Sequence, residues 1–402
     1  MYTFFIDELG SFLRQMNPLK KRIGIIGGGQ LGRMLLEESA RLNIHFNVLE
    51  SDENCPCASL AHTFIKGSLM DPTKIRELAA ISDVLTYEIE HIHTEVLLEL
   101  EKEGKTIIPS PRILQMIQDK GLQKEFYTKH QIPSGKFFLV NNKAEWQRLI
   151  PLLGSEKFVA KTRKGGYDGK GVAILNSANI LQNPELIPFD GPCVLEEFIP
   201  CEKELAVIVA RDQEGNIVSF PSIEMEFDPE ANLVTLLLSP ASVGSIIEEK
   251  AESIARRVVE ALDGPGLFAV ELFLNQSGEI FVNEVAPRPH NSGHHTIEAC
   301  YTSQYEQLTR ILLNLPMGST EMVQAAGMVN LLGAKDFSGS YALENLDMVS
   351  KIPGVFVHLY AKAESKPMRK MGHVSILASS IDEVHEKAAV VSKNLRFVKD
   401  PS

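Results

Sequence analysis

From Arg22 to about residue 110, short apolar runs alternate with segments whose apolar residues recur at helical spacing. "RIGIIG", "FNVLE", "DVLTYE" and "KTIIP" read as strands. "LGRMLLEESARLN", "DPTKIRELAAI" and "TEVLLELEKEG" read as the helices between them, the second with Asp71 as cap and Pro72 in its first turn. Strands separated by helices in this way pair in parallel, so a doubly wound α/β sheet is predicted over residues 21–110. The first strand–helix turn, "GIIGGGQLGRM", sets Gly27, Gly29 and Gly32 as G-x-G-x-x-G, and Glu50 ends the next strand run. That pattern matches a dinucleotide fingerprint with Glu50 in the ribose-binding place. It equally suits another phosphate at a helix N-terminus, or a tight turn with no ligand. On this loop alone an NAD-linked dehydrogenase stays open.

After "SPRILQMIQDKGLQKEFYTKHQIPSG" the pattern changes to hairpin-like strands: "KFVAKT", "GVAILN", "CVLEEFIP", "KELAVIVARDQEGNIVSF" and "GLFAVELFLNQSGEIFVNEVAP". One amphipathic helix, Ser245 to Leu262, interrupts them, so an α+β region with an antiparallel sheet is expected. A third segment from about Gln324 holds short strands ("GMVNLLG", "VFVHLYAK", "GHVSIL") and a final helix near Asp382–Asn394. The 402 residues suffice for two or three domains. With 40 Lys and Arg against 52 Asp and Glu, the net charge of −12 argues against general nucleic-acid or acidic-membrane binding, leaving room for local phosphate pockets. Cys55, Cys57, Cys193, Cys201 and Cys300 lack paired C-x-x-C spacing and read as reduced thiols of a cytoplasmic protein. No run is apolar and long enough to span a bilayer, and residues 1–20 read as an extension rather than a signal peptide.

"KTRKGGYDGKGV", Lys161 to Val172, is rich in glycine and lysine, yet it is not a Walker-A loop. Around Gly169-Lys170 that motif needs glycine where Lys164 stands and Ser or Thr where Gly171 stands. The hairpin "AVELFLNQSGEIFVNE" is more telling. If Ser277-Gly278 is a two-residue turn, Gln276 pairs with Glu279 and Glu271 falls opposite Glu284, with Asn283 beside it. Facing carboxylates repel, by about 0.2–1 kcal/mol on the cross-strand scale. A divalent cation bridging them removes that cost, and hard oxygen ligands suit magnesium carrying phosphates. The plainer alternative is two exposed carboxylates salt-bridged to lysines. A dehydrogenase has no use for the pair; an ATP-dependent enzyme does.

These parts together resemble the ATP-grasp superfamily. Within it, "GGGQLGRM", "TYEIEH", "KTRKGGYDGKG", "NEVAPRPHNSGHHTIE" and "KMGH" are similar to the N(5)-carboxyaminoimidazole ribonucleotide synthetases of purine biosynthesis. The resemblance implies a Rossmann-like pre-ATP-grasp domain at 21–118 and a two-lobed ATP-grasp domain at 119–318, its lid lobe at about 119–195. A small β-rich C-terminal domain follows at 319–402. It implies ATP- and bicarbonate-dependent carboxylation of the exocyclic amine of 5-aminoimidazole ribonucleotide through carboxyphosphate, by a cytoplasmic homodimer, with ATP and two magnesium ions.

By the same resemblance Lys120, Lys161 and the loop Gly166–Val172, with Gly169 and Gly171, hold ATP phosphates. Glu196, Glu197, Phe198 and Ile199 form the adenine hinge, and Glu204 takes the ribose hydroxyls. Glu271 and Glu284, with Asn283, form the magnesium site. Tyr167, Asp168 and Lys170 approach the aminoimidazole, while Gln30, Leu31 and Glu88 line its pocket. Arg288, His290, Asn291 and Lys362 hold bicarbonate, carboxyphosphate or the ribotide phosphate, with Ser292, Arg369 and Lys370 nearby. His294 and His295 open a helix and receive no ligand role. Two departures stand out: Phe227 takes the place of a nucleotide-side histidine, and in "KPMRKMGH" Lys366 replaces an arginine and Met368 a glycine. Lysine keeps the charge without the bidentate fork. A formate-dependent glycinamide ribonucleotide transformylase of the same architecture is the nearest rival reading; a non-catalytic nucleotide-binding protein is more distant.

Overall fold

The computed structural model describes residues 17–166, 171–227 and 234–400. Strands β1 (Arg22–Ile26), β2 (His45–Glu50), β3 (Thr63–Lys66), β4 (Val84–Tyr87) and β5 (Thr106–Ile107) form one parallel sheet in the order β3-β2-β1-β4-β5. Helices cover both faces, which is why β1 is an unbroken apolar run, with Ile23, Ile25 and Ile26 fully buried. Asp71 caps its helix by accepting from the Thr73 N–H at 2.8 Å, with Pro72 in the first turn. Strand β3 was not anticipated: "TFIK" is four residues long with one buried side chain, too short for a period to register.

A second, antiparallel sheet of β6 (Phe137–Val140), β7 (Lys157–Thr162), β8 (Val172–Asn176) and β9 (Cys193–Glu197) runs in the order β6-β9-β7-β8. Trp146, from the helix Lys143–Leu153, packs edge-on against Phe158 beneath it. The glycine–lysine loop joins β7 to β8, and the Thr162 N–H to Gly171 O bond of 2.8 Å closes its base. Gly171 sits at φ +77°, where a Cβ would also lie 2.4 Å from Thr162 Oγ1.

The third sheet contains β10 (Cys201–Arg211), β11 (Ile217–Ser219), β12 (Ile223–Phe227), β13 (Val234–Ser239), β14 (Gly266–Asn275) and β15 (Ile280–Ala286). The helix Ser245–Leu262 lays Ala251, Ile254, Ala255, Val258, Val259 and Leu262 on one face of it, against Leu205, Val207, Phe268 and Val270. The helix Gln304–Leu313 fills the other face and meets Met34 and Leu35 of the first unit. The C-terminal strands β16 (Ala325–Leu332), β18 (Val355–Leu359) and β19 (Lys370–Ala378) continue this sheet, giving β15-β14-β10-β12-β13-β16-β19-β18 with β11 on β10. Only β17 (Tyr341–Glu344) and β20 (Arg396–Lys399) pair apart from it. No helix among the described residues is long and apolar enough to cross a membrane.

The β14–β15 hairpin corrects the expected turn. Gln276 does not pair with Glu279; Asn275 does, its O accepting from the Gly278 N–H and its N–H donating to Glu279 O, both at 3.0 Å. The turn is therefore one residue longer, with Gly278 at φ +76°. The register runs Leu274↔Ile280, Phe273↔Phe281, Leu272↔Val282, then slips at a β-bulge so that Glu271 still opposes Glu284. The extra residue in the bulge is Asn283.

Candidate active site

In a regular strand successive side chains leave on opposite faces. The bulge suspends that rule, so Asn283 and Glu284 both join the Glu271 face. Asn283 Nδ2 donates to Glu271 Oε2 at 3.3 Å, and Asn283 Oδ1 accepts from Lys161 Nζ at 3.0 Å. Lys120 Nζ lies 2.6 Å from Glu284 Oε2. Three separate elements thus converge on one bulge: β7, the start of the helix Lys120–Lys129, and the hairpin. The Glu271 and Glu284 side chains keep 20% and 41% of their surface accessible, so the pair opens into the cleft.

The two carboxylates titrate in opposite directions. Lys120 holds Glu284 below the usual carboxylate range against the effect of burial. Burial pushes Glu271 up, and the charges of Glu284 and Glu204 push it further. Among the described residues the lysine in ion contact with the pair, Lys120, meets Glu284, which leaves Glu271 short of positive charge. The plainer sequence alternative, two exposed acids salt-bridged to lysines, holds only for the Lys120–Glu284 contact.

Lys120 follows Asp119, the cap of its helix, whose carboxylate accepts the Gly121 N–H at 2.9 Å and both Arg163 Nε and Arg163 Nη2 at 2.8 Å. Lys124, one turn further on, is buried against Glu196 at 3.0 Å, and Lys161 reaches the same carboxylate at 3.4 Å. Burial lowers the Lys124 pKa despite Glu196. Sequence reading missed Lys124, although its four-residue spacing from Lys120 puts both ammonium groups on one helix face. Glu197 and Phe198 point elsewhere: Glu197 Oε2 accepts the Lys136 N–H at 3.4 Å, and the Phe198 ring lies 5.9 Å from Lys157 Nζ. Ile199 packs beside Gly135. Burial pushes Glu204, on β10, up to about 7.

At the rim, Arg288 Nη2 pairs with Glu90 Oε1 of the first unit at 3.1 Å, a partner sequence reading did not name. Arg288 Nε and Asn291 Oδ1 are buried with no hydrogen-bond partner among the described residues. His290 Nδ1 lies 2.9 Å from Ser292 Oγ and accepts the Ser292 N–H at 3.4 Å, which leaves Nε2 as the protonated nitrogen, 3.5 Å from Glu271 Oε1. Burial, then Arg288 and Lys370, lowers the His290 pKa to about 3, so the ring is neutral. Lys362 Nζ donates to Lys370 O at 2.6 Å and lies 5.7 Å from the Tyr360 ring centre. Arg369 Nη1 donates to Glu364 O at 2.8 Å. Gly166 and Gly171 flank the loop tip; Tyr167, Asp168, Gly169 and Lys170 lie outside the described residues. Phe227 ends β12, packed against the sheet core.

The first glycine loop is closed to a dinucleotide by the protein's own acids. Glu88 accepts the Gly29 N–H at 2.8 Å and the Gly32 N–H at 3.1 Å, while Glu50 accepts the Gly28 N–H at 3.1 Å rather than facing a ribose. The amides that would cradle a pyrophosphate are occupied. Gln30 and Leu31 open the helix beside Glu88, which burial pushes up in pKa.

The chain matches three family models in order: a ribonucleotide synthetase preATP-grasp domain over residues 20–118, an ATP-grasp domain over 125–305, and a phosphoribosylaminoimidazole carboxylase C-terminal domain over 326–387. It is 36% identical over 357 residues to the N5-carboxyaminoimidazole ribonucleotide synthase of Synechococcus elongatus, covering 89% of each chain. The crystal structure of N5-carboxyaminoimidazole ribonucleotide synthetase from Thermotoga maritima superposes with a TM-score of 0.86 at 42% identity, covering 94% of this chain and 100% of that one. The N5-carboxyaminoimidazole synthase of Aspergillus clavatus, solved in complex with ADP and 5-aminoimidazole ribonucleotide, superposes with a TM-score of 0.83 at 34% identity, covering 93% and 98%. Matched along nearly its whole length, from the parallel sheet through the bulged hairpin to the C-terminal strands, the chain belongs to the N5-carboxyaminoimidazole ribonucleotide synthases, ATP-dependent ligases of the ATP-grasp fold.

Proposed function

We propose that this chain uses ATP and bicarbonate to carboxylate the exocyclic amine of 5-aminoimidazole ribonucleotide, giving N5-carboxyaminoimidazole ribonucleotide, ADP and phosphate. The observation that carries the reading is the gathering of Lys120, Lys161, Glu271, Asn283 and Glu284 at one bulge, with neutral His290 at its edge. The described residues hold no group of three or more His, Cys, Asp or Glu suited to a metal. Two facing acids, of which Lys120 ion-pairs with Glu284, instead suit magnesium held jointly with nucleotide phosphates. Glu271 and Glu284 would hold it, and when bound it supplies charge neutralisation for phosphoryl transfer.

The chain's own groups do the remaining work. Lys120 and Lys161 take phosphate oxygens, with Gly166, Gly169 and Gly171 giving the lid its close approach. The backbone of Glu196 to Ile199, whose side chains are engaged elsewhere, receives adenine, and Glu204 takes the ribose hydroxyls. A bicarbonate oxygen attacks the γ-phosphorus and ADP leaves, giving carboxyphosphate. The ribotide amine then bonds to the carboxyl carbon, phosphate leaves, and one amine proton goes to a base. We assign that base to Asp168, with Tyr167 and Lys170 beside it. Arg288, His290, Asn291 and Lys362 hold the carboxyl donor, and Gln30, Leu31 and Glu88, with Ser292, Arg369 and Lys370, hold the ribotide. Water exclusion by the closed lid protects the mixed anhydride.

ADP release measured with and without the ribotide and bicarbonate tests the reading. Stimulation requiring both is expected; turnover indifferent to the ribotide overturns it. Full activity in Asp168→Asn would remove Asp168 from the proton step.

A further inference from the structure

Gln304 begins the helix Gln304–Leu313, is fully buried, and belongs to none of the groups described so far. Its side-chain amide grips one residue at both ends. Gln304 Oε1 accepts the His290 N–H at 3.0 Å, and Gln304 Nε2 donates to His290 O at 2.8 Å. The amide is itself fixed from behind. Gln304 Nε2 lies 3.4 Å from His294 Nδ1, which is 2.9 Å from Tyr305 Oη, and the His294 ring lies 4.7 Å from that of His373. On the opposite side Gly293 leaves the amide its space: a Cβ there would stand 2.6 Å from Gln304 Oε1.

We propose that Gln304 is a positioning residue that locks the His290 backbone and so aims the imidazole at the Glu271 carboxylate. The inference rests on the reading of His290 as a site residue. A buried primary amide is satisfied only when its donor and acceptor both find partners, and leaving either unpaired is costly. The two His290 bonds therefore admit one orientation of that peptide segment. The imidazole leaves from the pinned residue, and its Nε2 comes within 3.5 Å of Glu271 Oε1. Without the clamp His290 would sample several directions, and misplacement at that scale costs about tenfold to a hundredfold in rate.

The test compares Gln304→Met, which keeps the volume and removes both bonds, with Gly293→Ala, which keeps the amide but drives it from its seat. Alongside them run His290→Ala and the double variant Gln304→Met/His290→Ala. ADP formation with ribotide and bicarbonate is followed, and thermal unfolding checks that each protein is folded. Each single variant should lose about tenfold to a hundredfold in kcat with the KM for ATP changed little, and the double variant should be no worse than His290→Ala. In Gln304→Glu the deficit relative to the unsubstituted chain should shrink as pH falls, because a protonated carboxyl again both donates and accepts. Unchanged kcat in folded Gln304→Met and Gly293→Ala, with His290→Ala impaired, overturns the clamp and spares the site. Full additivity in the double variant likewise overturns it. Unchanged kcat in His290→Ala overturns the site reading of His290 and the clamp together.

Discussion

Replacing Glu271 by glutamine should stabilise the ligand-free protein while abolishing its work. The substitution keeps shape and can still accept from Asn283 Nδ2, so the change is one of charge. Directly paired residues have Cβ atoms about 5 Å apart. Two unit charges at that distance repel by about 3 kcal/mol at an effective dielectric of about 20. Lys120, held 2.6 Å from Glu284, cancels much of this and leaves a penalty on the order of 1 kcal/mol, near the top of the range for cross-strand like charges. The sign follows from the titration. The folded-state pKa of Glu271 lies above the ordinary carboxylate value, so the folded protein binds the proton more tightly than the unfolded chain. The penalty is therefore absent below the ordinary carboxylate range and grows as pH rises towards the folded value. Thermal unfolding should place Glu271→Gln about 2 °C above the unsubstituted protein at about pH 8.5 and level with it at about pH 3.5. Magnesium with ATP should raise the unfolding temperature of the unsubstituted protein more than that of the variant, and ribotide-dependent ADP release should fall at least about a hundredfold. A variant no more stable at high pH, or one whose advantage grows towards pH 5, would refute the idea that the acids face each other undercompensated.

Lys124→Met should destabilise by about 2–4 kcal/mol, because it leaves Glu196 buried with only the longer Lys161 contact; pairing it with Glu196→Gln should recover most of the loss in a denaturant titration. Met368 stands at φ +60°, in the left-handed region that favours glycine, so Met368→Gly should gain about 0.5–1 kcal/mol and Met368→Ala should gain nothing. Gly171→Ala should cost about 1–2 kcal/mol from the left-handed backbone and the clash at Thr162, and should raise the KM for ATP severalfold; an unchanged KM would detach Gly171 from the lid.

Elements with strong periods were legible: the parallel sheet, the Asp71 cap and the helix Ser245–Leu262 all appear where apolar spacing puts them. The Glu271–Glu284 pairing was reached through a wrong turn. The hairpin loop is one residue longer than a two-residue turn, and the bulge at Asn283 takes up that residue again. A cue for the longer loop was available, since Asn275 Oδ1 accepts from the Ser277 and Glu279 N–H groups and Gly278 supplies the positive φ. The bulge itself has no local signature, because it depends on what Asn283 meets across the cleft. Lys124 escaped because a buried lysine is recognisable only once Glu196 is seen beneath it. Gln304 escaped because its partners are backbone atoms, which sequence does not distinguish. The junction of β13 with β16 joins residues about ninety positions apart, beyond any periodicity.

That junction bears on how the chain can be divided. A protein cut near residue 319 would keep both acids and both phosphate lysines, yet would turn β13 from an interior strand into an edge. Leu236, Leu237 and Leu238 would then flank a row of unpaired amides and carbonyls, the template on which strands of separate molecules add to one another. The C-terminal segment thus seals a sheet edge as well as bordering the cleft. A truncated form that clumps would report an unsealed sheet rather than a failed active site.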